Sequence, residues 1–308
     1  MTLRLLGAAA LAALIGAAAV TAVADPADLR RFEGRPADVE REFVRVGYGQ
    51  LHLRRATPRA GVGRGELPVL LFHQSPNSSQ VFVEFMAELG ADRVVVAPDT
   101  PGFGESDLPA RQPDIAFYAN AMAELADALG FERVQLVGYH TGAAIAIELA
   151  RARPELVDAL VLVGIPAFNE EEQAEFRAKP WPLPRAEDGS HVQEEWDRST
   201  QWRGPGQSEE SVVRTFNEKL GAGQTAWWGA HAAIHYDTLA MLPEVEAPIL
   251  FIRPQDDLWE TSLRALPALG DSPRIDLPDY GFGLFEVIPG RLASTVRAFL
   301  DERKVSPP

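Results

Sequence analysis

The chain contains no cysteine among its 308 residues. This absence excludes disulfides, thiolate metal sites, a thiol nucleophile and the acylated cysteine of a lipoprotein. Basic side chains are also scarce, since 29 Lys and Arg stand against 44 Asp and Glu and leave a formal charge of −15. Nucleic-acid binding needs basic side chains that displace phosphate counterions, so DNA and RNA are not expected partners. An anionic membrane surface is disfavoured for the same reason.

Charge is almost missing from the first two dozen residues. Arg4 is the only charged residue before Asp25, the stretch 5–20 holds only Leu, Ala, Ile, Val and Gly, and Ala22-Val23-Ala24 offers small residues at a cleavage site. The pattern predicts a signal peptide over residues 1–24 and a secreted or periplasmic mature protein that has no membrane association after cleavage. The alternative is an uncleaved anchor, because about 20 apolar residues can span a bilayer.

Strands and amphipathic helices alternate along the rest of the chain. A short hairpin of Glu42–Val46 and Gln50–Arg54 is predicted around Gly47-Tyr48-Gly49. Continuous Val, Leu and Ile runs then predict strands that are buried on both faces, as in a parallel sheet. These runs are Pro68–His73, Arg93–Pro98, Val134–Gly138, Val157–Gly164, Pro248–Arg253 and Pro273–Leu277. Helices are predicted at Ser79–Leu89, Ile115–Leu129, Thr141–Arg151 and Arg291–Leu300. The alternation predicts a doubly wound α/β fold with a mostly parallel sheet.

The alternation is interrupted between the fourth and fifth of these apolar runs. The intervening segment holds five of the six tryptophans and several acidic runs. We interpret it as a helical cap inserted over the carboxyl edge of the sheet. The predicted organisation is a first core part at 25–166, the cap at 167–241 and a second core part at 242–308.

Three motifs follow predicted strands. Gly138-Tyr139-His140-Thr141-Gly142 lies where a strand runs into a helix, and its two glycines suit a tight, strained turn. His73-Gln74-Ser75-Pro76 follows the third strand, and Pro101-Gly102-Phe103-Gly104-Glu105-Ser106-Asp107 follows the fourth. Together these motifs resemble the α/β-hydrolase superfamily over roughly residues 40–301. The resemblance implies an α/β-hydrolase fold and a catalytic triad at the carboxyl edge of the sheet.

Two of the three triad positions depart from the family pattern. The turn, or nucleophile elbow, normally carries Ser, Asp or Cys, and here it carries His140. Phe282 stands where the family has its catalytic histidine. The family's carboxylate position matches Asp256-Asp257, with Asp257 the better aligned, and Glu170 with Glu171 are the alternative acids. The usual Ser-His-Asp mechanism is therefore not expected.

An imidazole at the elbow reaches roughly 3 Å further than a serine hydroxyl. We therefore predict a catalytic pair in which Asp257 orients His140, and His140 activates water or abstracts a substrate proton. The resemblance implies an oxyanion hole made by the backbone N–H of Thr141 together with that of Gln74 or Ser75. These donors do not depend on the altered side chains.

The remaining candidates are assigned to the pocket. His231 and His235 lie four residues apart on one helix face, but no carboxylate motif accompanies them and no metal is predicted. No cofactor is predicted either. The expected substrate-pocket residues are His73, Tyr139, Phe282, Trp181, His231 and His235.

The predicted function is cofactor-independent hydrolysis of a small apolar ester, lactone or epoxide, so the expected partner is a small molecule. A different hypothesis is a catalytically inactive ligand-binding or interaction protein on the same fold. That interpretation rests on Phe282, since an apolar side chain at a triad position favours binding an apolar ligand over acid–base chemistry.

Overall fold

Eight strands form one sheet in the computed structural model of the chain. The structure describes residues 34–59, 66–179, 186–201 and 203–302. The predicted signal peptide and Trp181 lie outside these ranges, so both remain predictions. No helix within the ranges has the length and apolar composition that a membrane span requires.

The strands follow the apolar runs of the sequence. They are β1 (Ala37–Val46), β2 (Gly49–Pro58), β3 (Val69–Phe72), β4 (Val95–Pro98), β5 (Val134–Tyr139), β6 (Val157–Val163), β7 (Ile249–Pro254) and β8 (Arg274–Leu277). Their order across the sheet is β1-β2-β4-β3-β5-β6-β7-β8. β1 and β2 pair antiparallel, β2 runs antiparallel to β4, and all further pairs are parallel. The hairpin strands are longer than predicted because the alternating pattern continues on both sides of the turn.

Eleven α-helices are formed within the described ranges. They are α1 (Val83–Leu89), α2 (Ile115–Ala128), α3 (Thr141–Ala152), α4 (Glu170–Arg177), α5 (Ser190–Gln201), α6 (Glu209–Gly221), α7 (Trp228–His235), α8 (Thr238–Met241), α9 (Leu266–Leu269), α10 (Leu284–Val287) and α11 (Pro289–Glu302). Ser79–Phe82 forms a 3₁₀ turn, so only the second part of the predicted 79–89 helix is α-helical.

The parallel strands are buried on both faces, as their uninterrupted apolar composition predicts. One apolar cluster includes residues of α2 and α3 on one face of the sheet, and a second includes residues of α1, α10 and α11 on the other. This three-layer arrangement confirms the predicted doubly wound α/β fold.

Helices α4 to α8 occupy the chain between β6 and β7, in the region predicted as a cap. We call this segment the cap. Asn169 and Glu172 form a capping box at the start of α4, and the Ser208 side chain caps α6. Trp196 of α5 packs edge-on against Phe216 of α6, with ring centroids 5.3 Å apart. At this position the tryptophan-rich composition of the segment supplies packing between cap helices.

Candidate active site

The turn between β5 and α3 holds its central residue in a strained conformation. His140 has φ 50° and ψ −111°, and it is the one non-glycine residue with positive φ in the described part of the chain. Such a backbone persists only where the surroundings enforce it. A Cβ on Gly138 would lie 2.4 Å from the Gly142 carbonyl oxygen, and one on Gly142 would lie 1.9 Å from that of Phe72. Both motif glycines are thus required by close backbone approach.

A third glycine provides the space for the imidazole. Gly164 directly follows β6, which lies between β5 and β7 in the sheet, and has φ +60°. A Cβ at this position would fall 2.5 Å from His140 Cδ2 and 2.7 Å from Nε2. The missing side chain therefore lets the ring pass over the end of β6 toward the loop that follows β7.

The imidazole meets a buried carboxylate in that loop. His140 Nε2 lies 2.8 Å from Asp256 Oδ2, and Asp256 is 2% exposed. The Leu258 N–H donates to Asp256 Oδ1 at 3.0 Å, while the Tyr139 hydroxyl lies 3.5 Å from Oδ2. Because an ionised carboxylate only accepts, Nε2 carries the hydrogen and Nδ1 of a neutral ring is the acceptor.

The orienting carboxylate is that of Asp256, whereas the sequence pattern favoured Asp257. Asp257 Oδ1 lies 3.8 Å from His140 Nδ1, beyond hydrogen-bond distance, and its side chain is 49% exposed. The two adjacent carboxylates thus approach different nitrogens of the ring. Glu170 and Glu171, the alternative acids, are exposed in the first turn of α4.

The protonation of His140 follows from this pairing. Burial acts to lower the pKa of His140, but the charge and hydrogen bond of Asp256, with the charge of Asp257, outweigh it and raise the pKa above its ordinary value. Burial also raises the pKa of Tyr139 well above its usual range, so its hydroxyl stays protonated.

The loop after β3 is fixed from the core by His73. Its Nδ1–H donates to the Gln74 carbonyl at 2.9 Å, and its Nε2 accepts from the Thr100 N–H at 2.9 Å. Burial lowers the pKa of His73, which keeps the ring neutral in this bridging role. His73 does not line the cavity beside His140, contrary to its predicted place in the substrate pocket. Its side chain instead holds the loop that lines the cavity.

The same loop is fixed from the cap by Glu218 of α6. The Asn77 side-chain amide donates to Glu218 Oε2 at 2.9 Å, and the Ser78 hydroxyl donates to Oε1. Asn77 and Ser78 are both buried. Since Gln74 and Ser75 precede them closely in the loop, Glu218 connects the cap to the predicted oxyanion donors.

A cavity of about 290 Å³ lies between the turn, this loop and the cap. Of the predicted site residues, His140, Asp257, Gln74, Ser75, Tyr139 and Phe282 line it. The Phe282 ring stands edge-on to the imidazole with centroids 5.6 Å apart. Thr141 is the first residue of α3, and the first N–H groups of a helix have no intrahelical partner. The structure therefore brings most of the predicted residues to one cavity.

His231 and His235 are not part of this cavity. Their rings stack 4.0 Å apart on α7 and line a separate surface depression with Gln112, which bonds to His231 Nδ1 at 2.7 Å. The i, i+4 spacing placed them on one face as predicted, but that face does not contribute to the cavity at His140.

One group within the described ranges brings possible metal ligands together. An N or O atom from each of His140, Asp256 and Asp257 lies within 4.8 Å of the others. Asp256 Oδ2 is already paired with Nε2, so the ligands left to share a cation are Nδ1 and the Asp257 carboxylate. Two ligands fall short of the three or four protein groups of a typical site.

Comparison with known proteins agrees with the fold seen in the structure. A family model described as the alpha/beta hydrolase fold matches residues 68–196. The solved enol-lactonase of Burkholderia xenovorans superposes with a TM-score of 0.69 at 17% identity, over 85% of this chain and 100% of that chain. The chain has the α/β-hydrolase fold.

Curated relatives match part of this α/β-hydrolase fold. An uncharacterized protein of Mycobacterium tuberculosis is 35% identical over 130 residues, which are 42% of this chain and 37% of the relative. The 2-hydroxymuconate semialdehyde hydrolase of a Pseudomonas species is 33% identical over 131 residues, 41% of this chain and 44% of that enzyme. The chain thus spans less than half the length of these relatives.

Two residues of the site, Gly164 and Glu218, were not predicted from the sequence. Gly164 is visible only as the glycine that ends a predicted strand, and nothing in that pattern shows its positive φ. Glu218 lies on an amphipathic helix among other acids, so no motif marks it. Its spacing from Thr215 and Ser211, which line the cavity, places all three near one face of α6.

Replacing Gly164 with alanine is expected to destabilise the fold and displace the imidazole. We expect a loss of about 1–3 kcal/mol in the free energy of unfolding from backbone strain. We also expect the pKa of His140, followed by NMR, to fall as the ring leaves Asp256. Gly130→Ala is the matched control, since Gly130 has φ +73° but no atom within 4 Å of the position that a Cβ would take. Equal His140 pKa values in the two variants would contradict the steric argument.

Replacing Glu218 with alanine is expected to loosen the loop that follows β3. Two buried donors lose their acceptor, which costs about 1–3 kcal/mol each when no other partner replaces it. If this loop supplies an oxyanion donor, kcat should fall more than KM rises. Glu210→Ala removes the same charge from an exposed position on the same helix and should leave kinetics within about twofold. An unchanged kcat in Glu218→Ala would contradict a role for this loop in the reaction.

Proposed function

We propose that the chain is a cofactor-independent hydrolase of a small ester, lactone or epoxide, with His140 as the central catalytic group. The observation behind this proposal is the buried 2.8 Å contact between His140 Nε2 and Asp256. It fixes the tautomer in which Nδ1, the nitrogen beside the cavity-lining Asp257, holds a lone pair. A lone pair facing a small cavity is what a general base requires.

In the proposed ester reaction, Nδ1 takes a proton from water, and the water oxygen attacks the carbonyl carbon. Nδ1 and Asp257 Oδ1 lie 3.8 Å apart, so a water molecule to one side of the pair could contact both atoms. The resulting imidazolium is stabilised by the Asp256 carboxylate. Collapse of the tetrahedral intermediate breaks the bond to the alcohol oxygen, which receives the proton back from Nδ1.

The oxyanion would form between α3 and the loop after β3. The N–H of Thr141 is available at the amino end of α3, where the helix dipole favours negative charge. The second donor is the N–H of Gln74 or Ser75, both of which line the cavity. Preorganised donors of this kind act on the charge that develops in the transition state.

The similarity to known hydrolases supports the reaction class. The Pseudomonas relative is a hydrolase and the Burkholderia structure is an enol-lactonase, and both names describe cleavage by water. The part of the chain that matches the family model contains the turn and the loop after β3. The substrate and the role of each residue are proposed from the geometry of this chain.

A ligand-binding protein without catalysis is the second candidate, and Phe282 is the observation that favours it. Its ring lies edge-on to the imidazole where the resemblance implies a histidine. The Arg203–Phe282 bridge attaches this loop to the cap. An apolar wall that is held in this way suits the binding of an apolar ligand. The following experiments separate the two functions.

Replacing His140 with alanine should lower kcat/KM for short nitrophenyl esters about 10²–10⁴-fold, the usual contribution of a general base. His235→Ala is the control, because it removes an imidazole from the separate depression on the cap and should change the rate less than about twofold. Ester turnover that survives in His140→Ala would eliminate the proposed role. Tight binding of an apolar ligand with no turnover of any substrate would favour the inactive protein.

The rate should depend on pH through His140. Because its pKa is raised, the neutral base forms only above the ordinary value of about 6.5, so kcat/KM should rise with pH and reach half its maximum above that value. Asp256→Asn removes the charge that raises the pKa, so the midpoint should move to lower pH while the plateau rate falls. A profile that is flat from about pH 5 to 9 is incompatible with this base.

A further inference from the structure

Three basic side chains and one acidic side chain, Glu286, line the cap side of the cavity, against the acidic trend of the chain. Arg198 of α5, with Arg214 and Lys219 of α6, lines the cavity that holds His140. The whole chain has only three lysines and a formal charge of −15. Three cations at one small cavity are therefore a local feature of the cap, and the overall composition would not produce it.

The core side of the cavity holds the groups that the proposed reaction uses. Asp257 and His140 line the cavity from the ends of the core strands. Burial raises the pKa of the Asp257 carboxyl, and the charges of His140 and, more weakly, Lys219 act against that rise. Lys219 and Asp257 thus line one cavity and lie within electrostatic range of each other.

Lys219 is only loosely engaged by protein groups. Its Nζ lies 3.3 Å from Glu195 Oε1 and 3.3 Å from Ser199 Oγ, both longer than the roughly 2.7–2.9 Å of a good charge-assisted hydrogen bond. Glu195 does not line the cavity, so it meets the ammonium from outside it. The Lys219 side chain keeps 21% of its surface exposed.

Arg214 also has N–H donors that make no hydrogen bond within the described residues. Its Nη2 donates to Glu286 Oε2 at 2.7 Å, and that is the one hydrogen bond of its guanidinium within the described residues. A guanidinium has five N–H donors in a planar fork that matches a carboxylate. Half-buried cations interact with an anion more strongly than surface cations do, because less water screens them.

We propose that the substrate bears a carboxylate at the end remote from the reacting carbonyl, and that Lys219 and Arg214 bind this carboxylate. The inference rests on the proposed hydrolysis for the reacting end and adds the class of substrate, a short ester or lactone of a dicarboxylic acid. The cations of the cap would then set the position of the carbonyl over His140.

Two esters of equal acyl length test this proposal, mono(4-nitrophenyl) glutarate and 4-nitrophenyl valerate. The wild-type protein should prefer the glutarate ester. Lys219→Gln should raise KM for that ester about 10- to 100-fold and leave KM for the valerate ester within about twofold. Lys219→Arg should restore most of the preference, and Lys179→Gln, which neutralises an exposed lysine elsewhere in the cap, should keep it.

A binding measurement separates failure of this inference from failure of the hydrolysis. Monomethyl glutarate and methyl valerate would be titrated by calorimetry into His140→Ala and into the His140→Ala, Lys219→Gln double variant, in which ester hydrolysis adds no heat, while turnover is assayed with the wild-type protein. Lys219-dependent binding of monomethyl glutarate without turnover of any ester would support the carboxylate site and overturn the hydrolysis. Ester turnover with no preference for glutarate, or equal effects of Lys219→Gln on both esters, would overturn the carboxylate site.

Discussion

The candidate site depends on a buried contact that spans three strands. His140 follows β5 and Asp256 follows β7, and strands two apart in a sheet are separated by roughly 10 Å. The long imidazole covers part of that distance only because β6, which lies between them, is followed directly by Gly164. The strained backbone at His140, the missing Cβ at Gly164 and the buried carboxylate therefore form one unit, and none of the three has its effect without the others.

This unit couples the stability of the fold to the availability of the base. A histidine whose pKa is raised on folding contributes stability that is fully present below its unfolded pKa and is lost as the pH rises through the folded one. The neutral ring that the proposed reaction needs appears over the same rise in pH. Asp256 thus stabilises the fold most where His140 is charged, and it delays formation of the base to higher pH.

The fold, and the position of His140 at the turn between β5 and α3, could be predicted from the sequence because both rest on local patterns. Continuous apolar runs and paired glycines leave few other structures for residues 134–164. The choice between Asp256 and Asp257 could not be made in this way, since both are acidic residues of one loop and only the folded structure shows that Asp256 is buried against His140 while Asp257 is half exposed. Likewise, the spacing of His231 and His235 predicted that they share one face of a helix. Which part of the protein that face meets depends on how the cap packs, and the spacing does not show this.

Because Phe282 stands where the resemblance implies a histidine, the proposed reaction has fewer groups that can transfer protons. Within the described cavity, His140 is the one imidazole at the reacting end, so the same nitrogen must accept the proton of water and return it to the leaving group. Water and leaving oxygen must therefore both come within hydrogen-bond distance of Nδ1 during one turnover. Phe282 is attached to the cap through Arg203, and its ring limits where a substrate can lie beside the imidazole. A substrate held at its far end by the cap would satisfy that requirement with little freedom to move, and the cap would then be part of the proposed catalytic geometry.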